Sequence, residues 1–137
     1  MTGLTETPRR SDIKVMVVDD TDHVRAMLVD MLQLDGFVVV GEAASGPEAI
    51  TMAAEAQPDV IVMDYRMPGI DGLAAARDIR SRRPDQAIIL YTAYLDPVLE
   101  KQANEAGVAL CVGKVEGLNQ LERYINELYH AHRQSPR

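Results

Sequence analysis

The stretch Ile13-Lys14-Val15-Met16-Val17-Val18-Asp19-Asp20 decides how the chain is read. It is a short, mostly β-branched run that stops at two adjacent carboxylates. Its apolar residues are continuous rather than alternating, as in strands buried on both faces of a parallel sheet. Four further runs have the same character: Phe37 to Val40, Val60 to Met63, Ala87 to Tyr91 and Val108 to Val112. Helical patterns lie between them. Val24, Met27, Leu28, Met31 and Leu32 fall on one helix face by their i, i+3, i+4 spacing, and Gly36 stands where a helix would close. Ser45-Gly46-Pro47-Glu48 is a capping box with proline early in the helix. Asp96-Pro97 opens another helix in the same manner, and Gly107 can close it. Leu118, Leu121, Ile125 and Leu128 line the last one. Five strands alternating with five helices predict an α/β, doubly wound parallel sheet. One sequence does not carry strand order; 2-1-3-4-5, the flavodoxin-like order, is the common five-stranded solution.

The 137 residues suit one domain with one well-buried core, and 47% hydrophobic content excludes a disordered chain. No apolar run is long enough for a membrane span, and Met1 to Arg10 lacks a secretory apolar core. The single cysteine, Cys111, permits no internal disulfide and fits a reducing cytoplasm. With 14 basic against 21 acidic residues the net charge is −7, which argues against sequence-independent nucleic-acid binding. Residues 1–12 and 133–137 read as tails around a domain at 13–132. No output domain follows, so a stand-alone unit is expected.

Polar residues recur immediately after strands. Asp19 and Asp20 follow the first run, Asp64 the third and Thr92 the fourth; Lys114 comes just past the fifth. The C-terminal strand ends of an open parallel sheet share one rim, where ligands bind. Each residue has a plain alternative. Asp20 or Thr21 could cap a helix, Asp64 could serve a turn, Thr92 could end a strand, and Lys114 could be a solvated cation. Together these alternatives require four coincidences at one rim. Two carboxylates about 4 Å apart repel by roughly 4 kcal/mol at an effective dielectric of 20. Lys114 supplies one compensating charge. A hard divalent cation such as Mg²⁺ suits a site of few carboxylates, water and phosphate. A carboxylate so placed can attack phosphorus and form an acyl phosphate.

The chain resembles the bacterial two-component response-regulator receiver domain. The matching pieces, in order, are Val17-Val18-Asp19-Asp20, Val62-Met63-Asp64-Tyr65-Arg66-Met67-Pro68-Gly69-Ile70-Asp71-Gly72, Thr92-Ala93 and Lys114. The resemblance implies that Asp64 accepts a phosphoryl group from a sensor histidine kinase or a histidine phosphotransfer protein. It implies Mg²⁺ on Asp20, Asp64 and the Arg66 backbone carbonyl, with Asp19 acting through water. It gives Lys114, Thr92 and the Ala93 N–H to the phosphate, and makes Met67-Pro68-Gly69 the loop beside it. Signalling would then pass by contact with a downstream protein.

Two positions depart from the family pattern. Cys111 stands where an aromatic switch residue is usual, and Val115 where proline usually follows the lysine. They put ring-rotation coupling and the shape of the loop from Gly113 to Gly117 in question. They also motivate an alternative, a receiver-like binding module independent of phosphorylation. A Mg²⁺-dependent aspartyl phosphatase of the haloacid-dehalogenase type is a further alternative. It would need a second acid two residues after the nucleophile, where Arg66 stands. The segment Asp19-Asp20-Thr21-Asp22 does not suit a flavin phosphate loop, and no Gly-x-x-x-x-Gly-Lys loop exists.

Overall fold

The computed structural model describes residues 12–134, with side chains to residue 131. Five parallel strands form one sheet: β1 (Lys14–Val18), β2 (Val38–Ala43), β3 (Val60–Asp64), β4 (Ala87–Thr92) and β5 (Leu110–Gly113). Their spatial order is β2-β1-β3-β4-β5, as expected. The helices between them are α1 (Asp22–Leu34), α2 (Gly46–Ala56), α3 (Gly72–Arg82) and α4 (Pro97–Glu105). After β5 come one helical turn, α5 (Lys114–Gly117), a 3-10 turn (Leu118–Gln120) and α6 (Leu121–Gln134). Five helices are thus longer than a single turn. None of the described helices is long and apolar enough to cross a membrane.

Two apolar clusters sandwich the sheet. Met16, Ile61, Met63, Ile88 and Leu90 pack towards α2, α3 and α4. Val15, Val17, Val62, Ile89, Tyr91 and Val112 face Leu28 and Leu32 of α1 and Leu121 and Ile125 of α6. The strand residues alternate between the two clusters, yet both faces are covered, which is why the runs read as continuous. Truncating a fully buried leucine such as Leu28 costs about 2–5 kcal/mol.

The caps form as the sequence predicts. Ser45 Oγ accepts the Glu48 N–H at 3.3 Å, and Glu48 reaches back to the Ala44 N–H at 2.8 Å. Asp96 accepts the Leu99 N–H at 2.9 Å. Gly36 closes α1 with φ +97°.

Four sequence readings need correction or sharpening. Met27 is 52% exposed rather than on the core face, because α1 turns only its Leu28, Val29 and Leu32 edge fully inward. The second strand runs on to Ala43, since Glu42 and Gly41 pair with β1 beyond a bulge at Val15/Met16. Residues 114–117 form a helical turn rather than a loop, and the last helix begins at Leu121, three residues after Leu118. α6 runs to Gln134, and of the expected tails residues 1–11 and 135–137 lie outside the described residues.

Candidate functional site

The C-terminal ends of β1 and β3 bring three carboxylates together. Asp19, Asp20 and Asp64 each offer an oxygen within 4.8 Å of the others. Asp19 and Asp64 are buried, while Asp20 stands towards solvent. Parallel pairing places Val18 beside Met63, and Asp64 beside Tyr91, so the ends of neighbouring strands are level.

Asp64 ends β3. Its Oδ1 accepts the Arg66 N–H at 3.4 Å, and its Oδ2 lies 3.7 Å from Lys114 Nζ. Burial first, and then the charge of Asp19, push its carboxyl up to about 6; Lys114 and the Arg66 amide pull the other way, and Asp20 adds to the rise. The balance shows that one ammonium does not compensate three carboxylates. A charged group that its surroundings disfavour is a mark of a functional site.

Asp71 and Gly72 of the acidic block serve the backbone. Asp71 caps α3 by accepting the Ala74 N–H at 2.8 Å. A Cβ on Gly72 would lie 2.3 Å from the Asp64 carbonyl oxygen, so only glycine lets α3 start against the end of β3. Met67 is buried in the core, Pro68 and Gly69 are exposed, and Gly69 has φ +81°.

Thr92 is buried at the end of β4, and its Oγ accepts the Tyr94 N–H at 3.3 Å. Ala93 follows on the exposed side. A cleft of about 490 Å³ opens next to them, lined by Tyr65, Arg66, Thr92, Tyr94, Asp96 and Val98 among others.

The departures from the family pattern also have their places. Cys111 lies beside Leu90 on the α4 side, half-buried; burial and the charges of Glu100 and Asp96 push its thiol up to about 11. Val115 is 82% exposed on α5. Of the two tyrosines flanking Thr92, Tyr94 is 83% exposed and Tyr91 is fully buried towards α1 and α6. His23 is exposed. The basic end of α3 is largely spent on structure: Arg80 donates to the Gln86 carbonyl and Arg83 to the Gln86 side chain.

Two contacts were not legible in the sequence. Arg25 donates to the Asp19 carbonyl at 2.7 Å and pairs with Asp22 and Glu42. The Tyr91 hydroxyl donates to Asp19 Oδ2 at 2.5 Å. The only available sign of the second was a tyrosine inside an otherwise aliphatic buried strand.

The model of the response regulator receiver domain family matches residues 15–126. This chain belongs to that family. The receiver is 36% identical over 118 residues to response regulator GacA of Pseudomonas aeruginosa, covering 85% of this chain and 55% of that protein. It is 38% identical over 112 residues to transcriptional regulatory protein PdtaR of Mycobacterium tuberculosis, covering 78% of this chain and 52% of that one. The receiver thus spans about half the length of these curated relatives. Among solved structures it is similar to the signal receiver domain of NarL from Mycobacterium tuberculosis. The TM-score is 0.80 and the identity 33%, with 86% of this chain and 96% of that chain covered. Receiver domains are signalling domains of two-component systems. They bind Mg²⁺ at an acidic pocket and interact with histidine kinases or phosphotransfer proteins.

Proposed function

We propose that this receiver, over residues 13–132, accepts a phosphoryl group on Asp64 from a histidine kinase or histidine phosphotransfer protein. The observation that carries this reading is a buried carboxylate with its pKa raised to about 6, 3.7 Å from Lys114 and clustered with Asp19 and Asp20. With such a donor the expected setting is the cytoplasm.

The donor set fits Mg²⁺: three hard carboxylate oxygens, clustered and short of positive charge. Asp20 and Asp64 would hold the ion with the Arg66 carbonyl, and Asp19 would act through water. When bound, the ion would offset the carboxylate charge and screen the incoming phosphate. The Asp64 oxygen attacks phosphorus, forming an O–P bond as the N–P bond of phosphohistidine breaks. The electron pair stays on the imidazole nitrogen, which takes a proton. Lys114 then turns its ammonium from the carboxylate to a phosphoryl oxygen. Thr92 and the Ala93 N–H donate to the others, Thr92 by rotating its hydroxyl beside the Tyr94 amide. Met67-Pro68-Gly69 shapes the adjoining loop. The signal leaves by protein contact, and the exposed Tyr94, Leu95 and Val98 beside the site supply apolar surface for it.

Intact-mass analysis after treatment with a small phosphodonor and Mg²⁺ tests the reading. One added phosphoryl group is expected on the native chain and none on Asp64→Asn. A native chain that stays unlabelled would favour the phosphorylation-independent binding module.

A further inference from the structure

We propose that Tyr91 is a positioning residue for the acidic site: its hydroxyl fixes the Asp19 carboxylate, and its ring supports Lys114. This rests on the phosphoacceptor reading and adds to it a residue outside the acidic motif.

Packing alone does not call for a tyrosine at this place. The side chain is 0% exposed among aliphatic residues of the α1 and α6 side, where phenylalanine would fill the same volume. A buried hydroxyl is costly unless it is bonded, so its partner matters. That partner is Asp19 Oδ2 at 2.5 Å, with the Val18 carbonyl at 3.5 Å.

The bond completes a set of restraints. Asp19 Oδ1 accepts the Thr21 N–H at 2.8 Å, its own amide donates to Ala43, and its carbonyl accepts from Arg25. Both carboxylate oxygens are therefore directed by protein donors. Asp20 differs: among the described residues no side-chain hydrogen bond is made to its carboxylate. One acid of the pair is fixed and the other is free to adjust to a ligand.

The ring makes the second link. Lys114 Nζ lies 5.6 Å from its centroid, within cation–π range. The same ammonium is 3.7 Å from Asp64. Tyr91 is also the register partner of Asp64, and its carbonyl accepts the Tyr65 N–H at 2.8 Å. One residue thus touches an acid of the first strand, the acceptor's strand and the cation after the fifth.

Two variants separate the links. Tyr91→Phe removes the hydroxyl and keeps the ring; Tyr91→Leu removes both. Residues behind metal ligands typically govern affinity by 10–100-fold. Calorimetric titration should show Mg²⁺ affinity at least tenfold weaker in Tyr91→Phe. The Mg²⁺ concentration for half-maximal labelling should rise more than the saturated labelling rate falls. Tyr91→Leu should lose further in that rate. A folding failure of either variant is bypassed by a measurement on a chain carrying Tyr65→Phe, Tyr94→Phe, Tyr124→Phe and Tyr129→Phe, in which Tyr91 is the remaining tyrosine. There, Mg²⁺ should produce a saturable tyrosine absorbance difference from the buried phenol. Unchanged affinity in a folded Tyr91→Phe, or no such difference in a chain that binds Mg²⁺, overturns the role of Tyr91 and leaves the phosphoacceptor reading standing. A native chain that neither binds Mg²⁺ nor takes label overturns both.

Discussion

The two ends of the sheet are built from similar residues and differ in how their charges are settled. At the N-terminal end a cleft of about 560 Å³ is lined by Lys14, Asp59, Arg82, Arg83, Asp85 and Gln86, among others. The Lys14 amide donates to Asp59 Oδ2 at 2.8 Å, and Arg82 pairs with Asp78. The buried Gln86 donates to the Asp59 and Ala87 carbonyls and accepts from Arg83. At the C-terminal end the neighbouring cleft is smaller, yet three carboxylates face one ammonium. Cavity size therefore does not distinguish the ends. Charge left short of a partner does, because a folding sequence gains nothing from such a cluster unless a ligand completes it.

The comparison breaks most sharply under exchange of one acid at each end. Asp64→Asn should abolish phosphodonor labelling, while Asp59→Asn, at the paired end, should label like the native chain. Loss of labelling in both would show that the ends are not independent.

The next effect is on stability against pH. The Asp64 carboxyl is raised from 3.8 to about 6, so the folded state binds its proton more tightly than the unfolded chain does. Its contribution is present in full below pH 4 and is lost as pH rises through about 6. In EDTA, stability from this group should fall between pH 4 and pH 7 by up to about 3 kcal/mol. Denaturant titrations across that range check it, and Asp64→Asn should flatten the slope.

Mg²⁺ should act on the same end by a smaller amount. At tenfold over its dissociation constant it should stabilise the fold by about 1.4 kcal/mol, seen as a higher melting temperature. Asp20→Asn and Asp64→Asn should shrink the gain. The smallest change is expected from Arg82→Ala, which removes an exposed i,i+4 pair: at most about 0.5 kcal/mol, and none in Mg²⁺ affinity.

How far the site could be read from the chain follows the same division. Asp19, Asp64 and Thr92 were legible because each sits next to a β-branched run, and a parallel sheet aligns those ends whatever else the chain does. Ser45 and Asp96 were legible because a cap needs only its own helix. Met27 misled because helical spacing gives a face but not its width, and α1 meets the sheet along a narrow edge. The Tyr91–Asp19 bond spans 72 residues, so no local pattern encodes it. The early helical turn at Lys114 was hidden for another reason. Its few residues carry no periodicity, and its glycine, Gly117, folds back against Val112 of the strand just before it, a contact that no pattern of residue types announces.

The contact between Gly72 and Asp64 also has a mechanical consequence. The start of α3 is seated on the Asp64 carbonyl, and its Gly72 amide is bonded to the Tyr65 carbonyl at 2.7 Å, so strand end and helix start are in direct contact. The corresponding joint from β4 to α4 runs through residues 93–96, all exposed, before Asp96 starts the helix. The end of β3 thus abuts the first turn of α3 directly, whereas the end of β4 reaches α4 only through four exposed residues. The close seat of α3 depends on one missing methyl group, because a side chain at position 72 would push the helix off the strand that carries Asp64.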